Sequence, residues 1–356
     1  MGIFGKKKTE DEEDEKTGSE KNDEKITKGK KSKKIKDLSP ENKRRRKEPI
    51  RPWNKQDRII LLILILVTFG ASFYFAVSSK GFKFPNLITN INPFSDRTIV
   101  LRSIGEGKVK VNAIVSDFEE VVGDLRGTYG FYVINLTDGS SFGIHQGESF
   151  QAASLIKLPV MVGMYMEEEG GRVNLDSVYI LKKEDKAEGS GSLYGKPVGY
   201  KISYRNLIKL MGKESDNTAF NICRKYLGDT KIDSIITRIG MGSTSLENNE
   251  TTLEDIGLFF RKLQEGELIG SGNKDELLSF MTDTIYENWL AKGLPDGVKI
   301  AHKYGRETNV VNDAGIVFSD PYYIVVIMSK NVNVNEANDT LPELSRLIYE
   351  GIVVPK

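Results

Sequence analysis

Helical spacing of apolar residues sets in at 111–125, where Ile114, Val115, Phe118, Val121, Val122 and Leu125 recur three and four apart. The pattern then becomes strand-like at 130–136 and 140–145 around Thr137-Asp138-Gly139, which predicts a hairpin. Helical spacing returns at 156–168, 204–213, 217–226 and 253–263. Strands are expected again at 299–304, 312–318 and 322–329, and a closing helix at 341–349. Strands near both ends of a domain with a helical middle predict an α/β (α+β) fold, in which helices flank an antiparallel sheet and a helical subdomain is inserted. There is no internal repeat.

Ahead of this domain, residues 59–77 carry no charge. An apolar run of roughly 20 residues is the length that spans a bilayer as a helix, so a transmembrane segment is expected there. Arg44, Arg45, Arg46, Lys47, Arg51, Lys55 and Arg58 flank it on the N-terminal side, which places the N-terminus in the cytoplasm and the rest outside, on a single-pass protein of the cell membrane. Ala76-Val77-Ser78 offers small residues for signal cleavage, but the charged stretch before the apolar run is far too long for a signal peptide. Four parts follow: a charged tail at 1–58, the anchor at 59–77, a linker at 78–108 holding Pro85 and Pro93, and a globular domain at 109–356.

Charge sharpens that division. Residues 1–58 carry about +7 and the remainder about −6, which together give the formal net charge of +1. The tail alternates acidic runs (Asp11 to Glu15) with basic ones (Lys30 to Lys36, Lys43 to Lys47) and is expected to be disordered; its interleaved acids argue against nucleic-acid binding. The single cysteine, Cys223, sits among Ala219, Phe220, Ile222 and Leu227 and reads as a buried thiol. With His145 and His302 the only histidines, a His/Cys zinc site is short of ligands, so neither a metal nor another cofactor is expected. A monomer is expected.

Candidate chemistry begins at Ser154-Leu155-Ile156-Lys157, directly after the hairpin and at the start of an apolar helix. Residues one turn apart share a helix face, so the amine can reach the hydroxyl, and a lysine of depressed pKa can serve as the base a serine nucleophile needs. A second match, Ser271 to Lys274, lies in a Gly-rich stretch read as a polar loop. Ser215-Asp216-Asn217 joins two helical runs; it supplies a second hydroxyl and an amide, or equally a helix N-cap. Lys303-Tyr304-Gly305 ends a strand, where a lysine can attract a carboxylate at a cleft edge and a glycine lets a substrate lie close. Alone this last pattern carries nothing, since Lys16-Thr17-Gly18 occurs in the tail.

In order and in context, the three motifs resemble the S-x-x-K, S-D-N and K-T-G set of class A β-lactamases and penicillin-binding proteins, with the resemblance running over about residues 111–353. It implies that Lys157 deprotonates Ser154, which attacks a β-lactam amide or a peptidoglycan D-alanyl peptide. Ser215 would shuttle a proton and Lys303 supply positive charge. The backbone amides of Ser154 and Arg306 would hold the oxyanion, and Asn217, Tyr304 and Gly305 would meet the substrate. Two departures stand out. Tyr304 replaces the family's Thr or Ser, and no Glu-x-x-Leu-Asn loop occurs between Asn217 and Thr252. Glu247 and Glu250 are the acids available there as a deacylation base, and both also read as solvated loop residues. A β-lactam-hydrolysing enzyme is therefore expected, with a D-alanyl-D-alanine peptidase, a β-lactam sensor acylated without turnover and an idle binding module as alternatives. A Ser-His-Asp hydrolase is disfavoured, because alternation on a strand turns His302 away from Lys303.

Overall fold

The computed structural model describes residues 55, 56, 59, 61–68 and 106–353. The chain divides into two units, Met1–Thr89 and Asn90–Lys356. In the first, 61–68 are helical with exposed apolar side chains such as Leu62 and Leu66. The rest of the expected tail, anchor and linker lies largely outside the described residues, among which no helix is long and apolar enough to cross a membrane.

The second unit opens on helix α1 (Glu106–Val122) and closes on α8 (Val334–Val353). Between them run β1 (Thr128–Asn135), β2 (Ser141–Ile144), β3 (Phe150–Gln151), α2 (Lys157–Glu169), β4 (Val178–Ile180), β5 (Lys201–Ser203) and α3 (Tyr204–Glu214). There follow α4 (Asn217–Leu227), α5 (Asp229–Ile239), β6 (Glu250–Thr251), α6 (Leu253–Gln264), α7 (Ser271–Phe280), β7 (Lys299–Glu307), β8 (Val310–Phe318) and β9 (Tyr323–Lys330). The central sheet has the order β2-β1-β9-β8-β7, antiparallel throughout, so strands from both ends of the unit meet as expected.

Alternation along the strands feeds two cores. Ile316, Ile324 and Val326 face α2 and the helical subdomain, whereas Val317, Val325 and Ile327 face α1 and α8. Helix α2 is buried along nearly its whole length, as its all-round apolar sequence requires. Strand β7 is an edge strand, and the 3₁₀ turn Ala153–Ile156 that leads into α2 packs beside it.

Three elements differ from expectation. Helix α5 buries Ile232, Ile235, Ile236 and Ile239, and the β4–β5 hairpin was not foreseen. The stretch from Ser271, read as a loop, is helix α7; its Leu277 and Leu278 are buried, which stabilises a helix that its leading Ser-Gly-Asn disfavours.

Candidate functional site

Ser154 sits on the 3₁₀ turn between β3 and α2. The residue before it, Ala153, is held at φ 49°, a left-handed conformation that costs a non-glycine residue about 1–3 kcal/mol. Gly305 explains how β7 approaches this turn: a Cβ there would lie 2.9 Å from the Ser154 amide nitrogen and 3.1 Å from the Ala153 Cβ. The Ser154 hydroxyl opens into a cavity of about 590 Å³, lined also by Ser190, Asn217, Tyr286, Arg306 and Glu307.

Lys157, one turn on, is 3 % exposed. Its amine donates to the Ser215 carbonyl, to Ser215 Oγ at 3.2 Å and to Asn217 Oδ1 at 2.7 Å. Burial depresses its pKa to about 7, partly offset by the carboxylates of Asp216 and Glu307.

The Ser215-Asp216-Asn217 tripeptide divides its roles. Asp216 is the cap expected of it, accepting from the Ala219 and Leu193 amides. Ser215 ends α3 at φ 53° and is fully buried, which turns its hydroxyl between two lysines. Lys303 donates to that hydroxyl at 2.8 Å and to the Tyr304 carbonyl at 2.8 Å. Asn217 is engaged at both amide atoms, since its Nδ2 also donates to the Glu188 carbonyl at 2.7 Å.

Lys303 is fully buried beneath the cleft rather than standing at its edge. Burial, reinforced by the neighbouring Lys157, pushes its pKa well below the usual lysine value. Two ammonium groups on one hydroxyl repel, so a proton on one amine disfavours a proton on the other. Tyr304 turns its ring onto Tyr286, with centroids 4.1 Å apart, and the Lys303 amine lies 4.1 Å from the Tyr304 ring centroid. The group that replaces the family's hydroxyl is thus an aromatic wall, 3 % exposed.

Several predicted residues lie elsewhere. Glu247 and Glu250 are exposed and outside the cavity lining. Lys274 of the second Ser-x-x-Lys match donates to the Gln264 carbonyl, away from the site. His302 is buried on the other face of β7, with Nδ1 2.8 Å from Asp313 and Nε2 3.2 Å from Glu287. Cys223 is buried, and burial raises its thiol pKa.

Sequence reasoning missed Ser190, whose hydroxyl donates to the Ser215 carbonyl at 2.7 Å, and Glu307. A signal for Ser190 was present in the Gly189-Ser190-Gly191-Ser192 run. Gly191, at φ +99°, lies so close to Asp216 that an added Cβ would overlap its carboxylate.

An antiparallel sheet with helices on both faces and a buried Ser/Lys cleft at its edge strand defines the class, that of β-lactamase-like proteins. Residues 113–352 match the model of the β-lactamase enzyme family, and the chain belongs to that family. It is 23% identical over 262 residues to β-lactamase CARB-3 of Pseudomonas aeruginosa, covering 68% of this chain and 91% of that protein. Among solved structures it is similar to PBP-A, with TM-score 0.64 and 27% identity over 67% of this chain and 95% of that one. It is likewise similar to a PBP-A mutant described as an acyl-enzyme complex with penicillin G, with TM-score 0.63 and 27% identity over 68% and 96% of the two chains.

Proposed function

We propose that this protein is a serine acyl-hydrolase that opens β-lactam amides through an acyl-enzyme on Ser154. The observation that carries the reading is the Lys157 amine, buried one turn from Ser154, bonded to Ser215 and Asn217 of the cavity lining, with its pKa near neutrality. In its neutral form it takes the Ser154 proton as Oγ attacks the carbonyl. The backbone amides of Ser154 and Arg306 hold the oxyanion. Ser215, bonded to Lys157 and Lys303, passes the proton to the departing nitrogen. Penicillin held by the PBP-A mutant supports this ligand class.

A D-alanyl-D-alanine peptidase is the second reading. It is favoured by the likeness to PBP-A and by the missing Glu-x-x-Leu-Asn loop. We also propose that residues 59–77 anchor the protein in the cell membrane with the domain outside; the described part of that segment is helical and apolar. Intact-mass spectrometry after mixing with a fluorescent penicillin tests the acyl-enzyme. One adduct is expected on the natural protein and none on Ser154→Ala, whereas labelling of the variant refutes the nucleophile. Release of hydrolysed penicillin separates the first reading from the second.

A further inference from the structure

With Glu247 and Glu250 outside the cavity, one carboxylate remains in its lining: Glu307, at the end of β7, four residues beyond Lys303. Two side chains orient it. Gln151 Nε2 donates to one oxygen, and Asn249 Nδ2 donates to the other at 2.9 Å. Both donors belong to segments that flank the nucleophile. Gln151 is three residues before Ser154, and the Asn249 carbonyl accepts from the Ala152 amide at 2.7 Å. The same strand touches the nucleophile turn at Gly305, and the Glu307 charge is felt by the Lys157 amine.

Each carboxylate oxygen has a lone-pair direction beyond the one its amide partner uses. Either oxygen can therefore accept one proton of a water in the cavity while that water keeps a lone pair for attack.

We propose that Glu307 is the general base that frees Ser154 from its acyl group, with Asn249 and Gln151 as the positioning residues that hold its carboxylate. This rests on the acyl-serine reading and deepens it. Glu307 takes one proton from the water as its oxygen bonds to the ester carbonyl carbon. The tetrahedral intermediate collapses, the bond from that carbon to Ser154 Oγ breaks, and Oγ takes a proton from solvent, Lys157 having been left neutral when the serine proton passed on to the departing nitrogen. Glu307 releases its proton to solvent, leaving a carboxylic acid product and the starting enzyme with Lys157 neutral.

The full-length chain is labelled with fluorescent penicillin, freed of excess probe, and its adduct followed by intact mass. In Glu307→Gln the adduct is expected to decay at least 30-fold more slowly than in the natural protein. Hydroxylamine, which needs no base, should release it at the natural protein's rate. In Asn249→Ala, which keeps the carboxylate, decay is expected to slow about tenfold. Decay of the Glu307→Gln adduct within threefold of the natural rate overturns the proposal, as does unchanged decay in Asn249→Ala or a natural adduct that persists in water. Absence of any adduct on the natural protein brings down the acyl-serine reading itself.

Discussion

Lowering the pH from 7 to 5 should slow acylation of Ser154 about 50-fold. Burial holds the Lys157 pKa at about 7 despite the opposing pull of Asp216 and Glu307, and only the neutral amine can accept the serine proton. The neutral fraction is about one half at pH 7 and about one in a hundred at pH 5, so the rate constant follows it down and levels off above about pH 8. Stopped-flow fluorescence with a labelled penicillin, run from pH 5 to 9, measures this directly. Lys157→Arg, charged at every pH, should lose about 10²–10⁴ in rate and show no such limb. A rate constant flat between pH 5 and 8, or the same limb in Lys157→Arg, would refute the assignment of Lys157 as base.

Other parts of the site make separate demands. Ser215→Ala should slow acylation about 100-fold by removing the relay between the lysines, and labelling kinetics at pH 8 check it. Gly305→Ala puts a methyl 2.9 Å from the Ser154 nitrogen, so acylation should fall at least about tenfold as β7 is pushed off the nucleophile turn; an unchanged rate would deny that the strand forms the site wall. For His302, burial alone lowers the pKa, but Asp313 and Glu287 outweigh it and raise it to about 9. A folded-state pKa above the unfolded value of roughly 6.5 gives stability that is complete below pH 6.5 and lost as pH climbs through 9. The stability difference between the natural protein and His302→Gln should therefore shrink by about 3 kcal/mol from pH 6 to pH 10 in urea unfolding, and a constant difference would contradict the ion pair. Cys223 should stay unreactive to a thiol reagent until the chain is unfolded.

Much of this was legible in the sequence because it rests on local patterning. Short apolar, β-rich runs bounded by turn residues located β1, β8 and β9, and three short motifs located Ser154, Lys157, Ser215 and Lys303. Helix α5 was less readable because its buried face is isoleucine, whose β-branching suits strands as well as helices. Contacts that depend on how distant segments dock were not readable at all. Glu307 meets Gln151 from 156 residues away, and nothing in either neighbourhood marks the pair. The depth of Lys303 is a similar case: its position on β7 was foreseen, but that the helical subdomain would close over it was not.

The pairing of Thr128 with Lys330 sets a timetable for the newly made chain. β1 and β2 emerge first and can form a hairpin, yet the neighbour of β1 in the finished sheet is synthesised about 200 residues later. At roughly 5–20 residues per second, that leaves one side of β1 unpaired for about 10–40 s. An unpaired strand edge is a template for other chains. Loss of the last strands by truncation would thus do more than remove the Lys303 side of the cleft, since it would leave the hairpin permanently open to aggregation.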